Sequence, residues 1–191
     1  MDETHKIKTV YVGGMICDCC IRLMKMLLEK EDLHFAHVNI GAIDFYEPIS
    51  DLQISKFLKK HRFSLVTDKN EIIVNQIKVA VIELVHYANN NSSIIRNSDY
   101  LVEKIGRSYQ SLSTIFADIE QRTLEKYIIA HKVERTKSLL IQDEMSLSEI
   151  AFQMGYSSVQ YLSNQFKKTT GMTVSEFKKQ RNPKILPLDQ V

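Results

Sequence analysis

The chain has 191 residues, 44% of them hydrophobic and 25% charged, which suffices for one or two small cores and excludes both a disordered chain and a large multidomain enzyme. No apolar run is long enough to span a bilayer, and the opening MDETHKIK has no apolar segment behind its charges, so the expectation is a soluble cytoplasmic protein with no membrane partner. The formal net charge of +2 gives no general push toward nucleic acid, so any DNA-binding surface must come from where the charges sit.

Residues 1–69 alternate strand-like and helical patterns. Lys8 to Val12 reads as a strand, Cys20 to Leu28 as a helix, Phe35 to Ile40 and Ala42 to Tyr46 as a hairpin around Gly41, Leu52 to Lys60 as a second helix, and Ser64 to Thr67 as a last strand. The order βαββαβ predicts two helices on one face of a four-stranded, mostly antiparallel sheet, the split-βαβ or ferredoxin-like layout. All three cysteines fall between Cys17 and Cys20, too close together to staple distant segments, so in a reducing compartment they read as a ligand or redox site.

The loop Gly13-Gly14-Met15-Ile16-Cys17-Asp18-Cys19-Cys20 joins the first strand to the first helix. Its glycines allow a tight turn, and Cys20 falls in the first helical turn, where the helix dipole and free amides favour thiolate. Two close thiolates suit soft, low-coordinate ions such as Cu(I) and, with further ligands, Zn(II); no cofactor is otherwise required. On a βαββαβ frame this Met-x-Cys-x-x-Cys loop resembles the heavy-metal-associated (HMA) domain of copper chaperones and metal-transport ATPases over residues 5–69. The resemblance implies metal ligation by Cys17 and Cys20, with Met15 as buried support. The hairpin looks shorter than in that family, Cys19 is an additional thiol, and His61 is a weak candidate neighbour of the metal. The same fold retained without metal, used only as a structural, dimerisation or docking module, is the rival reading.

From Asn70 onward the strand signals stop and seven helices are predicted: Glu71–Asn89, Asp99–Ile105, Ser108–Gln121, Leu124–Gln142, Ser148–Met154, Ser158–Thr169 and Val174–Arg181. The Asn89–Ser93 tract breaks the first of them, and Pro183 and Pro187 stop the last, leaving 183–191 as a tail. The fold class is thus α+β, a 1–69 domain followed by an all-α 70–182 domain.

The helical part repeats. At an offset of 50, Gln110, Leu112, Ser113, Phe116 and Thr123 match Gln160, Leu162, Ser163, Phe166 and Thr173; Gly106 and Gly155 match at 49. Each copy has a short helix, a turn at glycine, and a second helix that starts at serine, the helix-turn-helix pattern, over about 98–121 and 147–169. In the second copy Val159, Leu162 and Phe166 form the inner stripe, leaving Gln160, Ser163, Asn164 and Lys167 opposite. Amides such as Gln160 and Asn164 match the donor and acceptor on the major-groove edge of adenine, while Lys167 and Lys168 reach phosphates. The first copy presents Gln110, Ser113, Thr114 and Ala117, polar but not basic. The connecting helix would be about 30 Å long, close to the ~34 Å of one DNA turn.

Residues 97–182 resemble the DNA-binding domain of AraC/XylS-type transcriptional regulators, and Ile150-Ala-Phe-Gln-Met-Gly-Tyr-Ser-Ser-Val-Gln-Tyr-Leu-Ser-Asn-Gln-Phe-Lys-Lys-Thr-Thr-Gly-Met-Thr-Val-Ser-Glu-Phe-Lys follows that family's second motif almost throughout. The resemblance implies promoter DNA as partner, transcription regulation, and RNA polymerase and a second copy of the chain as protein partners. It places base contacts on Gln110, Ser113, Thr114, Val159, Gln160, Ser163 and Asn164. Phosphate contacts are expected from Lys167, Lys168, Lys178, Lys179 and Arg181, because residues 145–191 hold six basic against three acidic residues. The first copy departs from the family at Ala117-Asp118, where Lys-Lys is usual, and at Gln121-Arg122, where a glycine turn is usual. It is therefore expected to bind DNA more weakly, or to contact polymerase or a second copy.

No Ser/His/Asp triad, carboxylate pair or phosphate-cradling loop appears, so an enzyme is not expected. A metal chaperone or buffer protein with a helical tail is the rival from another class.

Overall fold

The structure, a computed structural model, describes residues 7–46, 49–87 and 97–191. The chain divides into two compact units, residues 1–79 and 80–191.

In the first unit the elements follow the order β1 (Lys8–Gly13), α1 (Asp18–Lys30), β2 (Phe35–Asn39), β3 (Ala42–Phe45), α2 (Asp51–Lys60) and β4 (Ser64–Val66). The sheet order is β2-β3-β1-β4, and every neighbouring pair is antiparallel. Alternation along the strands sends Val10 and Val12 of β1, Val38 of β2, and Ile43 and Phe45 of β3 into one core, where Met24 and Leu28 of α1 and Ile54, Phe57 and Leu58 of α2 meet them. Met15 joins that core at 1% exposure, so it packs beneath the cysteine loop. Gly41 turns the β2–β3 hairpin with φ +76°, and a Cβ there would lie 2.9 Å from the Asn75 amide nitrogen. Asn75 uses that nitrogen to donate to the carbonyls of Val12 and Gly41, each at 3.3 Å.

α3 (Lys69–Ile82) runs into a π-helical turn at Glu83–Tyr87, where one uninterrupted helix was expected to residue 89. The expected break at Asn89–Ser93 lies outside the described residues. The second unit continues with α4 (Asn97–Ile105), α5 (Tyr109–Glu120), α6 (Leu124–Gln142), α7 (Leu147–Gln153), α8 (Val159–Thr170) and α9 (Val174–Lys178). α6 packs against the π-helical turn, α5, α7 and α8. Because it has neighbours on several sides, even its polar residues His131, Lys132, Glu134 and Thr136 are buried. Among the described residues, no helix is long and apolar enough to cross a membrane.

Two of the buried groups face each other. His86 Nε2 lies 3.3 Å from His131 Nδ1, and the ring of Tyr127 meets the His131 ring edge-on at 4.5 Å. Burial, assisted by the Arg135 guanidinium, lowers the pKa of His86 to about 4; burial, His86 and Arg122 lower that of His131 to about 3. Both rings are neutral in the folded protein near pH 7, while the unfolded chain takes up protons below its ordinary histidine value of 6.5. Stability is therefore complete above pH 6.5 and lost as the pH falls toward 4. With half-exposed His86 contributing less than its full share, about 2 kcal/mol should disappear between pH 7 and 5.5. Urea midpoints at the two pH values measure it, and a flat profile would contradict it.

Candidate functional site

The second copy of the repeat is built from local signals. Ser146 and Glu149 form a reciprocal capping box at the start of α7, and Gly155 turns the chain with φ +68°. The Ser158 hydroxyl accepts the Tyr161 amide at the start of α8, and Gly171 ends α8 in the left-handed conformation. Leu162 and Phe166 are fully buried on the inner face, and Phe166 packs edge-on against Phe177 of α9 at 5.5 Å. Gln160, Asn164, Lys167 and Lys168 are exposed, whereas Val159 and Ser163 are half-buried at the edge of that face. Gln160 Nε2 donates to Asn164 Oδ1 at 3.1 Å, so the two amides hold each other in a pair on the outer surface. Lys167 and Lys168 occupy the last turn of α8, where the helix dipole favours positive charge.

The remaining cations are not equivalent. Lys178 Nζ lies 2.5 Å from Asp143 Oδ1, which holds the Asp143 carboxyl below its ordinary range. Lys179 and Arg181 are exposed, and both Lys167 and Lys179 lie close enough to the Glu176 carboxylate to help lower its pKa, behind its bonds to Thr173.

The first copy has the same frame. Leu112 and Phe116 are fully buried, and Gln110 and Thr114 are exposed with Ser113 half-buried. Thr114 Oγ1 is turned back to the Gln110 carbonyl at 3.0 Å. Its surface lacks the lysine pair: Ala117 is half-buried, Asp118 is exposed, and Arg122 is drawn inward over the Tyr127 ring at 4.6 Å. Gln121 takes the left-handed cap with φ +55° where the second copy has Gly171. A side chain there is strained, so Gln121→Gly should raise stability by about 1 kcal/mol, read from the urea midpoint at constant slope. An unchanged midpoint would show that the bond from Gln121 Nε2 to the Asp118 carbonyl, 2.7 Å, offsets the strain.

The repeat extends further than its polar residues showed. Leu124 and Val174 are both buried at the same offset of 50, and so are Tyr127 and Phe177, the ring partners of Phe116 and Phe166. The matching signal was aromatic character rather than identity. Also missed were the charged residues inside α6; their signal is a helix with apolar residues on all sides, which leaves Lys132 and Glu134 no outer face.

In the first unit Cys17 caps α1 and Cys20 lies in its first turn, with the two sulfurs 3.3 Å apart and both residues half-buried; Cys19 is exposed. Burial pushes the Cys20 thiol up, and the Cys17 thiol adds to that rise against opposing backbone hydrogen bonds. The expected net preference for thiolate at Cys20 is therefore corrected: its side chain packs on the core, and desolvation outweighs the helix terminus. His61 is also corrected. It stacks edge-on against Phe57 and lies 3.4 Å from Glu31, which follows the C-terminal end of α1, while the thiols stand at the N-terminal end, about 20 Å away along the axis. Among the described residues no set of three or more His, Cys, Asp or Glu is grouped for a metal. Two soft donors without a third suit a two-coordinate ion such as Cu(I) and fall short of the four ligands Zn(II) ordinarily takes.

Comparison with known proteins places the helical region. A helix-turn-helix domain family matches residues 101–180. The xylose operon regulatory protein of Escherichia coli K12 is 33% identical over 99 residues, covering 52% of this chain and 25% of that protein. Its counterpart in Haemophilus influenzae is 34% identical over 105 residues, covering 51% and 25%. The Msm operon regulatory protein of Streptococcus mutans is 28% identical over 107 residues, covering 56% and 36%. A solved structure of a xylose-binding transcription activator aligns over 82% of this chain and 36% of its own, with 23% identity and a TM-score of 0.42, a likeness too loose to argue from. The chain matches about a quarter of the length of the xylose-operon relatives. Residues 101–180 therefore match a helix-turn-helix domain, and about half of the chain is similar to these operon regulators.

Proposed function

We propose that the chain is a sequence-specific transcription regulator that binds promoter DNA through two unequal helix-turn-helix copies, with RNA polymerase and a second copy of the chain as protein partners. The observation that carries this reading is the exposed Gln160–Asn164 pair on α8, flanked by Lys167 and Lys168, within a matched helix-turn-helix domain. In this reading Val159, Gln160, Ser163 and Asn164 meet base edges in one major groove and Gln110, Ser113 and Thr114 in the next. Lys167, Lys168, Lys179 and Arg181 meet phosphates, and Lys178 does so only by leaving Asp143. α6, about 29 Å long, sets the separation of the two reading helices near one DNA turn. A mobility-shift titration over ionic strength tests this: affinity should fall steeply with salt, and salt-independent binding or none overturns it.

The 1–69 region is proposed as an HMA-like, ferredoxin-like domain whose Cys17 and Cys20 would hold a soft ion such as Cu(I), the ion supplying a charge and a crosslink between loop and helix. Regulation through it requires that the ion contact two states of the protein with different energies. The same titration with and without Cu(I), on wild type and on the double variant Cys17→Ser/Cys20→Ser, should show a metal-dependent change in wild type only. Identical curves throughout would remove metal sensing, favour the structural module, and leave DNA binding untouched.

A further inference from the structure

Beyond α9 the chain runs lengthwise along α6, opposite to it in direction, and is pinned at three levels of that helix. Lys178 Nζ meets Asp143 Oδ1 just past the C-terminal end of α6. The Leu186 amide donates to Glu134 Oε2 at 3.0 Å, near the middle of the helix. A 3₁₀ turn at Leu188–Gln190 then brings the Val191 carbonyl to Arg122, whose Nη2 donates to it at 2.8 Å in the turn that precedes α6. The segment thus spans the rod, from the second copy to the turn of the first.

The three pins differ in strength. The Lys178–Asp143 pair is exposed, and water screens it. Glu134 is buried, and its Oε1 is taken by Lys137 Nζ at 2.6 Å, so the Leu186 amide is the partner of the second oxygen. A buried carboxylate oxygen deprived of its donor is costly, which favours the docked segment. Arg122 is held over the Tyr127 ring of α6 at 4.6 Å, so Val191 docks on a guanidinium that is already anchored.

Packing beneath the segment is slight. Leu186, Leu188 and Val191 are half-buried, Lys184 and Ile185 are exposed, and no described side chain of 183–191 is buried. A space of about 710 Å³ lies between the segment, α6 and the ends of α8 and α9. A segment held by polar bonds at a few points, over little apolar contact, opens without dismantling a core. Residues 183–191 also lie outside the matched 101–180 region, so they add to the helix-turn-helix frame rather than belong to it.

We propose that residues 179–191 are a latch. Closed, it ties the second helix-turn-helix copy along α6 to the turn of the first; released at Leu186 and Val191, it lets α7–α9 open while α4 and α5 stay seated. On DNA the closed latch fixes the half-site spacing that the protein accepts. That consequence rests on the DNA-binding reading above; the latch itself does not. In that reading Lys179 and Arg181 meet phosphates, so DNA at the second half-site acts on the same stretch of chain.

Amide exchange read by mass spectrometry on the full chain without DNA tests the latch. Leu186→Pro removes the donor to Glu134, whereas Leu186→Ala shortens the side chain and keeps the donor. Residues 183–191 should be protected in wild type, and Leu186→Pro should speed exchange there and in α7–α9 about tenfold, with α4 and α5 unchanged and with Leu186→Ala below about threefold. Deletion of residues 186–191 should give the same pattern as Leu186→Pro and keeps the test valid should that variant fail to fold. Unprotected 183–191 in wild type, equal effects of Leu186→Pro and Leu186→Ala, or equal acceleration in α4 and α5 overturns the proposal. On duplexes whose half-site spacing is changed by one base pair, wild type should lose about tenfold in affinity and the deletion variant less than about threefold. Equal losses in both overturn the latch's role on DNA. The expected exchange pattern in a protein that fails to bind any duplex sinks the DNA-binding reading and leaves the latch standing.

Discussion

Phe166→Ala should destabilise the protein by about 3–5 kcal/mol, a large part of the ~5–15 kcal/mol that holds a typical domain folded. The ring is fully buried on the inner face of α8, and its edge-on partner Phe177 would lose its neighbour as well. Truncation leaves a void directly beneath the face that carries Gln160 and Asn164, so DNA binding at the second half-site should weaken together with stability. Urea unfolding followed by circular dichroism measures the first effect, and a loss below about 1 kcal/mol would mean that α9 collapses into the void. Phe116→Ala should cost as much stability, since Phe116 is equally buried against Tyr127, yet cost less DNA affinity.

The same asymmetry is expected of the proposed DNA contacts. Gln160→Ala should weaken specific binding by about 1–3 kcal/mol, some 5- to 150-fold, with the loss confined to one half-site in a footprint. Gln110→Ala should act on the other half-site by a smaller factor, because α5 has Asp118 exposed where α8 places a lysine pair and because Arg122 is turned inward. Lys167→Ala and Lys168→Ala should weaken all sequences alike and lower the salt slope by about one each. Lys178→Ala should change it less, its charge being shared with Asp143, and Asp143→Ala should steepen it. Equal losses at both half-sites for Gln160→Ala and Gln110→Ala would refute the division of labour.

Much of this was legible from spacing alone. Period-two alternation located β1, with Val10 and Val12 inward, and helical spacing with serine and threonine caps located α5 through α9 to within three residues. Local signals suffice there because caps, glycine turns and stripes are set by neighbours in the chain. What escaped depends on neighbours in space. The run from Glu71 reads as one helix because hydrophobic spacing does not distinguish an i+4 from an i+5 hydrogen bond, so the π-helical turn at Glu83–Tyr87 went unseen. Cys20 was assigned by its place at a helix start, but the core beneath it decides its protonation. His61 was placed by its nearness in sequence to Phe63, whereas the Glu31 carboxylate and the Phe57 ring fix its direction.

The two ring pairs, Phe116–Tyr127 and Phe166–Phe177, bear on how the helical unit opens as well as on how it is held. Phe116 of α5 pairs with Tyr127 of the shared helix α6, Phe166 of α8 pairs with Phe177 of α9, and both copies pack on α6. The expectation in amide exchange is that α7–α9 opens as a segment of its own, while α5 stays tied to a slow-exchanging α6. In the proposed DNA-binding role, the second copy would loosen and re-seat on an imperfect half-site while the first keeps its grip, a way to search along DNA without letting go of it.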